Sequence, residues 1–526
     1  MLRPRWFALI VRALGACALC SSCGGDYWLG GPRARGGAAG SGAAGGTTSN
    51  PAIYDLDGDI VLTGGDAREF GDPAGCKIVG NGYSIVSTSA WYGHLWIHDC
   101  EIIGLGSAEV DAISLEMSGS GWTTIERSSF ATSGVVRFTN QDDSTTTFTD
   151  NLILENSVVA IDVSTGATDP AFVAAGSGQA PKLFQGNGLY RSGAVFRSAH
   201  WLIGGDTDAE SNIVVGLQGS LLLSAPGLVV RGNYIHNLHV PVVGDDSAIA
   251  VAYGTDDVLA EHNVLRRGTW VVRGFGGELR YNVLLDGDDL AWIQQPFEGT
   301  KIHHNLFAMC EAPSGTEGVQ GGIQVVNSRA SGIEFYNNSF DGGGVAIDFH
   351  GPAILINDGC FVDSLRSNLF FDFRYWSNNG TEAAIRPGIG EPIDPPPPRI
   401  GYADYNLFFN PDANLIRNYA VSVPNRVLRS DPGFALHDAP AGGAVDEQVD
   451  PRLQSPRGTC FPWTDDDIKA RRVQVSEMVA YYRAAYSPAA GSPLAGAGDP
   501  ADGSGNTIGA IGDGSLAIDH FGQFGR

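Results

Sequence analysis

Lysine is scarce: only four occur in 526 residues (Lys77, Lys182, Lys301 and Lys469), so the 33 basic side chains are almost all arginine and a lysine-dependent reaction has few candidates. Those 33 basic residues face 58 acidic ones, a net charge of −25, the reverse of the basic footprint that a phosphate backbone requires; no nucleic-acid partner is expected. Charged residues make up 17% and hydrophobic ones 43%, which excludes a disordered composition and leaves enough apolar mass for a large core. No stretch approaches the roughly 18 uninterrupted apolar residues of a membrane-spanning helix. Cysteine is also sparse. Beyond Cys23 there are Cys76, Cys100, Cys310, Cys360 and Cys460, an odd number too small for a disulfide-built scaffold, and none has the C-x-x-C spacing of a structural zinc site. A Gly-rich phosphate loop, a Gly-x-Ser-x-Gly elbow and a His-Glu-x-x-His helix are all missing, which removes nucleotide, esterase and zinc-protease readings.

What abounds is glycine, 72 residues with no three-residue period, which points to many tight turns. Arg3, Arg5 and Arg12 flank or interrupt a short apolar run from Trp6 to Leu19, the pattern of an export signal. Leu14-Gly15-Ala16-Cys17 resembles the lipobox of bacterial lipoproteins, and Cys20 to Cys23 offers a second place for cleavage and lipidation. Residues 1–23 are therefore expected to be a lipoprotein or secretory signal, with lipid on Cys17 or Cys23, and residues 24–50 a Gly/Ala-rich tether. The protein is expected in the periplasm or on the cell surface, held to outer-membrane lipid, or alternatively secreted.

A phrase recurs through the middle of the chain: an apolar residue, two variable residues, Asn, any residue, an apolar residue. It centres on Asn151, Asn187, Asn212, Asn233, Asn263, Asn282, Asn305, Asn338, Asn368 and Asn406, with Cys100 and Ser128 in the Asn place of two earlier copies. The intervals run from 19 to 38 residues, a basic period of about 22 lengthened by insertions. Each copy is a short β-branched and aromatic segment bounded by Gly, Asp and Asn, so strands are predicted, about three per unit, stacking in parallel about 4.8 Å apart. The fold class is all-β, a right-handed parallel β-helix over residues 51–435 with an Asn ladder in which Asn takes up the left-handed turn conformation and its amide bonds to the next coil. Residues 436–526 are expected to form a C-terminal cap segment with a helix at about 465–486, started by Thr464-Asp465-Asp466-Asp467 and packed on the solenoid.

The Asn column, the opening Cys76 to Gly82, and the segment Ser487 to Ile511 resemble right-handed parallel β-helix proteins of the pectate-lyase-like superfamily. On such a solenoid, sites are columns. Two places before Asn the column reads Arg231, Glu261, Arg280, His303, and one place before it reads Gly232, His262, Tyr281, His304. His303 could act as a general base and Arg280 could hold a carboxylate, with Glu261, His262, Tyr281 and His304 binding substrate. The same residues also read as an alternating salt-bridge ladder. The stretch from Asn263 through Gly268-Thr269-Trp270-Val271-Val272-Arg273 to Asn282 resembles the chondroitinase B and alginate lyase family, and the resemblance implies that Arg273 acts on the carboxylate of an acidic polysaccharide, usually with calcium. The family's lysine base is replaced here by Ala252-Tyr253-Gly254, so Tyr253 is the candidate base, or else core.

Asp245-Asp246 and Asp288-Asp289 form a further constellation. Asp246 and Asp289 are 43 residues apart, about two coils or 9.6 Å, near the carboxylate separation of inverting glycosidases. Asp245 and Asp246 are alternatively calcium ligands. Trp270 and Trp292, 22 residues apart, form either a sugar platform or part of the core. The expected function is a polysaccharide lyase cleaving a uronate-containing glycan. The alternatives are a noncatalytic carbohydrate-binding or structural rod, and an inverting hydrolase using Asp246 and Asp289.

Overall fold

Each coil starts where the chain leaves an Asn. After Asn282, Val283–Leu285 joins a first sheet, A; Asp289–Gln294 joins a second, B; Lys301–His303 joins a third, C; then His304 and Asn305 open the next coil. In the computed structural model, residues 51–107, 109–154, 170–216, 221–237, 247–251, 255–267, 269–273, 275–286, 289–294, 299–309, 321–326, 333–343, 353–356, 362–371, 385–387, 400–409, 434–437, 450–456, 460–502 and 506–511 are described. The signal and tether expected in residues 1–50 lie outside them. Sheets A, B and C contain 14, 13 and 14 strands, and every strand pairing within them is parallel, as in Trp270 with Ala291, Arg280 with His303 and Val283 with Leu306. The protein is a right-handed parallel β-helix. Its interior is filled by columns of like side chains, among them Phe307, Phe340 and Phe370, whose rings stack at 4.9 and 5.0 Å.

The Asn positions line up along the whole solenoid. The backbone N–H of Asn282 donates to Asn305 Oδ1 at 3.0 Å, while its side-chain amide donates to the same oxygen at 2.9 Å and to Ala260 O in the preceding coil at 3.0 Å. The backbone link repeats from Asn151 to Asn406, and Ser128 and Cys100 extend it at 3.0 and 3.2 Å. One expectation is corrected. The left-handed residue is not Asn but the one before it: Asp99, Arg127, Asp150, His262, Tyr281, His304, Asn337, Ser367 and Tyr405 all have φ between 49° and 57°. The sharp corner between sheets C and A is made by that residue, which leaves Asn free to turn its amide along the axis. A non-glycine residue held there costs about 1–3 kcal/mol, and the ladder bonds offset it.

At the N-terminal end the rung is covalent: Cys76 and Cys100, 24 residues apart, pair in register and form a disulfide. Cys310 and Cys360 lie outside the described residues.

The C-terminal region holds two helices where one was expected at 465–486: α1, Asp465–Lys469, capped by Thr464, and α2, Val475–Ala485. The break has a cause. Arg471 adopts φ 52° between them, which sends its guanidinium to Gly186 O and Ser211 O at 2.6 and 3.1 Å. The segment runs along the outer face of sheet A, covering Ile213, Val215, Tyr234, Val264, Val283, Leu285 and Leu306 with Ile468, Val475, Met478, Val479 and Tyr482. It is pinned by Ser476 to Asp208, Tyr486 to Asp341 and Asp502 to Arg366.

Replacing Asn282 by Ala leaves the buried N–H groups of Asn263 without their acceptor, at about 1–3 kcal/mol per group. Denaturant unfolding of Asn282→Ala is expected to show a loss of about 3 kcal/mol; an unchanged curve would remove the ladder from any energetic role. Replacing Cys76 and Cys100 together by Ser should cost about 3 kcal/mol through loop entropy, with hydrogen exchange accelerated in the first coils and not at Asn282.

Candidate functional site

The ionisable column expected on sheet C is assembled as a column. Arg231 pairs with Glu261, Glu261 with Arg280, and Arg280 with His303. Two further residues continue it, Tyr336 and Arg366. Glu261 is fully buried between the guanidinium groups of Arg231 and Arg280; the Arg280 contact is 2.6 Å. Arg231 also meets Asp206 at 2.5 Å, and Arg280 meets Glu278 at 3.2 Å. Beyond His303 the stack is ring on ring: Tyr336 lies 4.4 Å from His303 at 6°, and Arg366 covers the other face of Tyr336 at 4.4 Å while pairing with Glu334 and Asp502. Glu278, Tyr336 and Arg366 were not anticipated. Tyr336 and Arg366 stand two places before Asn338 and Asn368, so extending the same column would have found them; Glu278 belongs to a parallel column two residues earlier.

Both nitrogens of His303 are committed. Nε2 meets Glu278 at 2.5 Å and Nδ1 meets His304 Nδ1 at 2.8 Å. Burial holds His303 below its ordinary value of 6.5 and pushes His304 down to about 3, so both rings are neutral. The hydrogen bond from His303 holds Glu278 down to about 2, as a carboxylate. One tautomer assignment satisfies the chain: His303 donates Nε2–H to Glu278, and its Nδ1 accepts from Nδ1–H of His304. That leaves His303 no lone pair for a substrate proton, and the carboxylate that Arg280 was expected to bind is supplied by Glu261 and Glu278. The column behaves as the salt-bridge ladder. His262, Tyr281 and His304 fill the adjoining left-handed corner, His262 stacked on Tyr281 at 5.2 Å and His304 tilted against it at 5.0 Å, with Arg483 of α2 over the Tyr281 ring at 5.6 Å.

The remaining candidates fall elsewhere. Arg273 ends the sheet B strand Thr269–Arg273, and the strand Phe275–Arg280, roughly 16 Å of extended chain, separates it from Arg280. The structure does not bring Arg273 together with Arg280 and His303. Trp270 shares its column with Ala291, Ile323 and Ile354, and the last two are buried in the core; Arg273, three residues on, belongs to the alternate phase, opposite Gln294. Trp292 pairs with Val271 and Trp270 with Ala291, so the two tryptophans stand in different columns. Asp289 opens a strand two places beyond Ser247–Val251 in sheet B. Tyr253, Asp245, Asp246, Asp288, Cys17 and Cys23 lie outside the described residues. Among the described residues no group of three His, Cys, Asp or Glu side chains is placed to hold a metal ion.

No family model matches the chain, and no curated protein matches it. Among solved structures it is similar to the periplasmic alginate epimerase AlgG (10% identity, 71% of this chain and 78% of that one, TM-score 0.37). It is also similar to the alginate lyase AlyF-OU02 in complex with G6 (12% identity, 71% and 89%, TM-score 0.39). A mutant of the PL6 family alginate lyase AlyGC gives 13% identity, 78% and 57%, and a TM-score of 0.33.

The buried neutral histidines set a pH dependence. A histidine whose folded value lies below 6.5 stabilises the fold fully above pH 6.5 and loses that contribution as the pH falls, for His304 down to about 3. Glu278 adds a second loss between its ordinary 4.5 and about 2. Stability measured by denaturant titration should therefore decline below pH 6.5, and His304→Asn, which keeps a residue suited to the left-handed corner, should flatten the upper part of that decline. An identical slope in the variant would show that His304 does not carry it.

Proposed function

We propose that the protein is an exported enzyme acting on a uronate-containing polysaccharide by β-elimination, with the glycan lying along sheet B and Arg273 at the reacting sugar. The observation that carries this reading is the register of Arg273: it stands in the phase alternate to the core column of Trp270, beside Gln294, and on a different sheet from the self-neutralised ladder. A guanidinium there can grip a carboxylate with two parallel hydrogen bonds. Neutralising the uronate makes its C5 proton easier to remove. As the base takes that proton, the C–H electrons form the C4–C5 double bond, the C4–O bond breaks, and the leaving oxygen gains a proton. Tyr253 is the proposed base, since the family's lysine is absent, and Asp245 and Asp246 are the proposed holders of calcium. Export would rest on the signal in residues 1–23 and the lipid on Cys17 or Cys23.

Two other readings keep specific support. Ser247–Val251 and the strand opened by Asp289 lie two strand spacings apart, about 9.6 Å, which suits an inverting hydrolase using Asp246 and Asp289. The closed ladder on sheet C suits a noncatalytic rod.

Incubation of the purified protein with alginate, chondroitin and pectin, with calcium and with chelator, decides among them. Elimination releases chain ends that absorb in the ultraviolet, hydrolysis releases reducing ends without that absorbance, and a rod releases neither. Arg273→Ala should lower the elimination rate at least a hundredfold with unchanged circular dichroism, whereas Arg280→Ala should chiefly lower stability, because it strips a partner from the buried Glu261. Full elimination activity in Arg273→Ala would remove that residue from the site.

A further inference from the structure

The first coils carry a concentration of rings on the outer face of sheet C and the turn leading into it. Tyr92 is 57% exposed, His94 is exposed, and Trp96 and Trp122 are half-buried. His94 and Trp122, paired in register, stack at 4.8 Å and 19°, and Trp96 lies 4.3 Å from His98. Trp96 shares its outward column with Thr124 and Thr147, and Trp122 shares the neighbouring one with Thr145, so hydroxyls follow rings at the coil spacing.

This surface is rigidly held. Trp91 is fully buried with its Nε1 on Asp66 O at 3.0 Å, and main-chain bonds tie Tyr92 to Gly64, His94 to Asp66 and Trp122 to Gly93. The Tyr92 ring is laid against Gly65, where a Cβ would come within 2.9 Å of Cε2, so glycine is what lets the ring lie flat. Trp96 Nε1 is fixed by Glu126 at 3.1 Å; Glu126 and Asp99 grip Arg127, and His98 lies between Asp99 and Glu69.

We propose that this face binds an uncharged saccharide chain. Sugar rings offer C–H faces to aromatic side chains and hydroxyls to threonines, and the repeat of about 4.8 Å along the axis is close to the length of one pyranose unit. A preformed ring array also avoids the ordering entropy that a mobile surface would lose on binding. Charge selects the class of saccharide. The guanidinium of Arg127 is taken by Asp99 and Glu126, and the groups around the rings include three carboxylates, so an acidic chain would meet repulsion where a neutral one meets none. The surface is on sheet C, and it does not depend on the reading of Arg273 on sheet B.

The test uses the full chain. Tryptophan fluorescence and calorimetry would follow titration with neutral cello-, xylo-, manno- and laminari-oligosaccharides and, in parallel, with oligoalginate and oligogalacturonate. At least one neutral series should bind and quench fluorescence, and Tyr92→Ala and Trp122→Ala should each weaken it tenfold or more, with thermal unfolding of Tyr92→Ala unchanged. Arg273→Ala should bind as the parent does, which separates this surface from the proposed reaction. Failure of every neutral series, retention of affinity in both ring variants, or tighter binding of the acidic oligomers through Tyr92 and Trp122 would each overturn the proposal.

Discussion

The structure depends on a buried side-chain amide that satisfies backbone groups of the coil before it and bonds to the matching amide of the coil after it. Asn282 donates to the coil before it and to the coil after it, and accepts from Asn263 through Oδ1. Removing water from such groups is costly unless every donor and acceptor is met. No coil can meet them alone, since the partners of each rung lie 19 to 38 residues away in the chain. Stability is therefore a property of neighbours, as in other solenoids. The ladder also fixes phase: once the Asn residues superimpose, every position counted from them becomes a column.

This explains what the sequence disclosed and what it withheld. The recurrent Asn betrays the period because its role requires that side chain, and the columns of Arg231, Glu261, Arg280 and His303 follow by counting back two. The conformational burden of the corner was harder to see, because it falls on residues as varied as Arg127, Tyr281 and Ser367, which do not favour the left-handed region. Sheet A announced itself more quietly. Val283–Leu285, Leu306–Ala308 and Leu369–Phe371 are apolar at both phases, the mark of a sheet covered on both faces, and the cover is the later segment with α1 and α2. Spacing misled at Trp270 and Trp292. Twenty-two residues equal one mean coil, but the Asn263 and Asn282 rungs are only 19 apart and the loops differ in length, so the two positions fall one residue out of register.

The roles of the charged groups were undecidable from the column alone, because a role depends on what stands beside it. Glu278, four residues before Asn282, occupies one nitrogen of His303, and its neighbour His304 occupies the other. A histidine that looks like a base from its place in a row thus becomes a link in a closed relay of hydrogen bonds. The sheets differ in what their outer faces meet: A is covered from Tyr190 onward by the later segment, and C carries the ladder toward one end and the rings at the other.

The segment with α1 and α2 touches coils from Asn187 to the one containing Tyr402, through Arg471 at Gly186, Arg483 at Tyr281 and Asp499 at Tyr402. It acts as a splint. A protease nicking an exposed loop between two coils would cut the chain without parting the pieces, since both would stay fastened to the same strip of protein and to each other's edge strands. Breakage of the chain and loss of the shape are thereby made separate events.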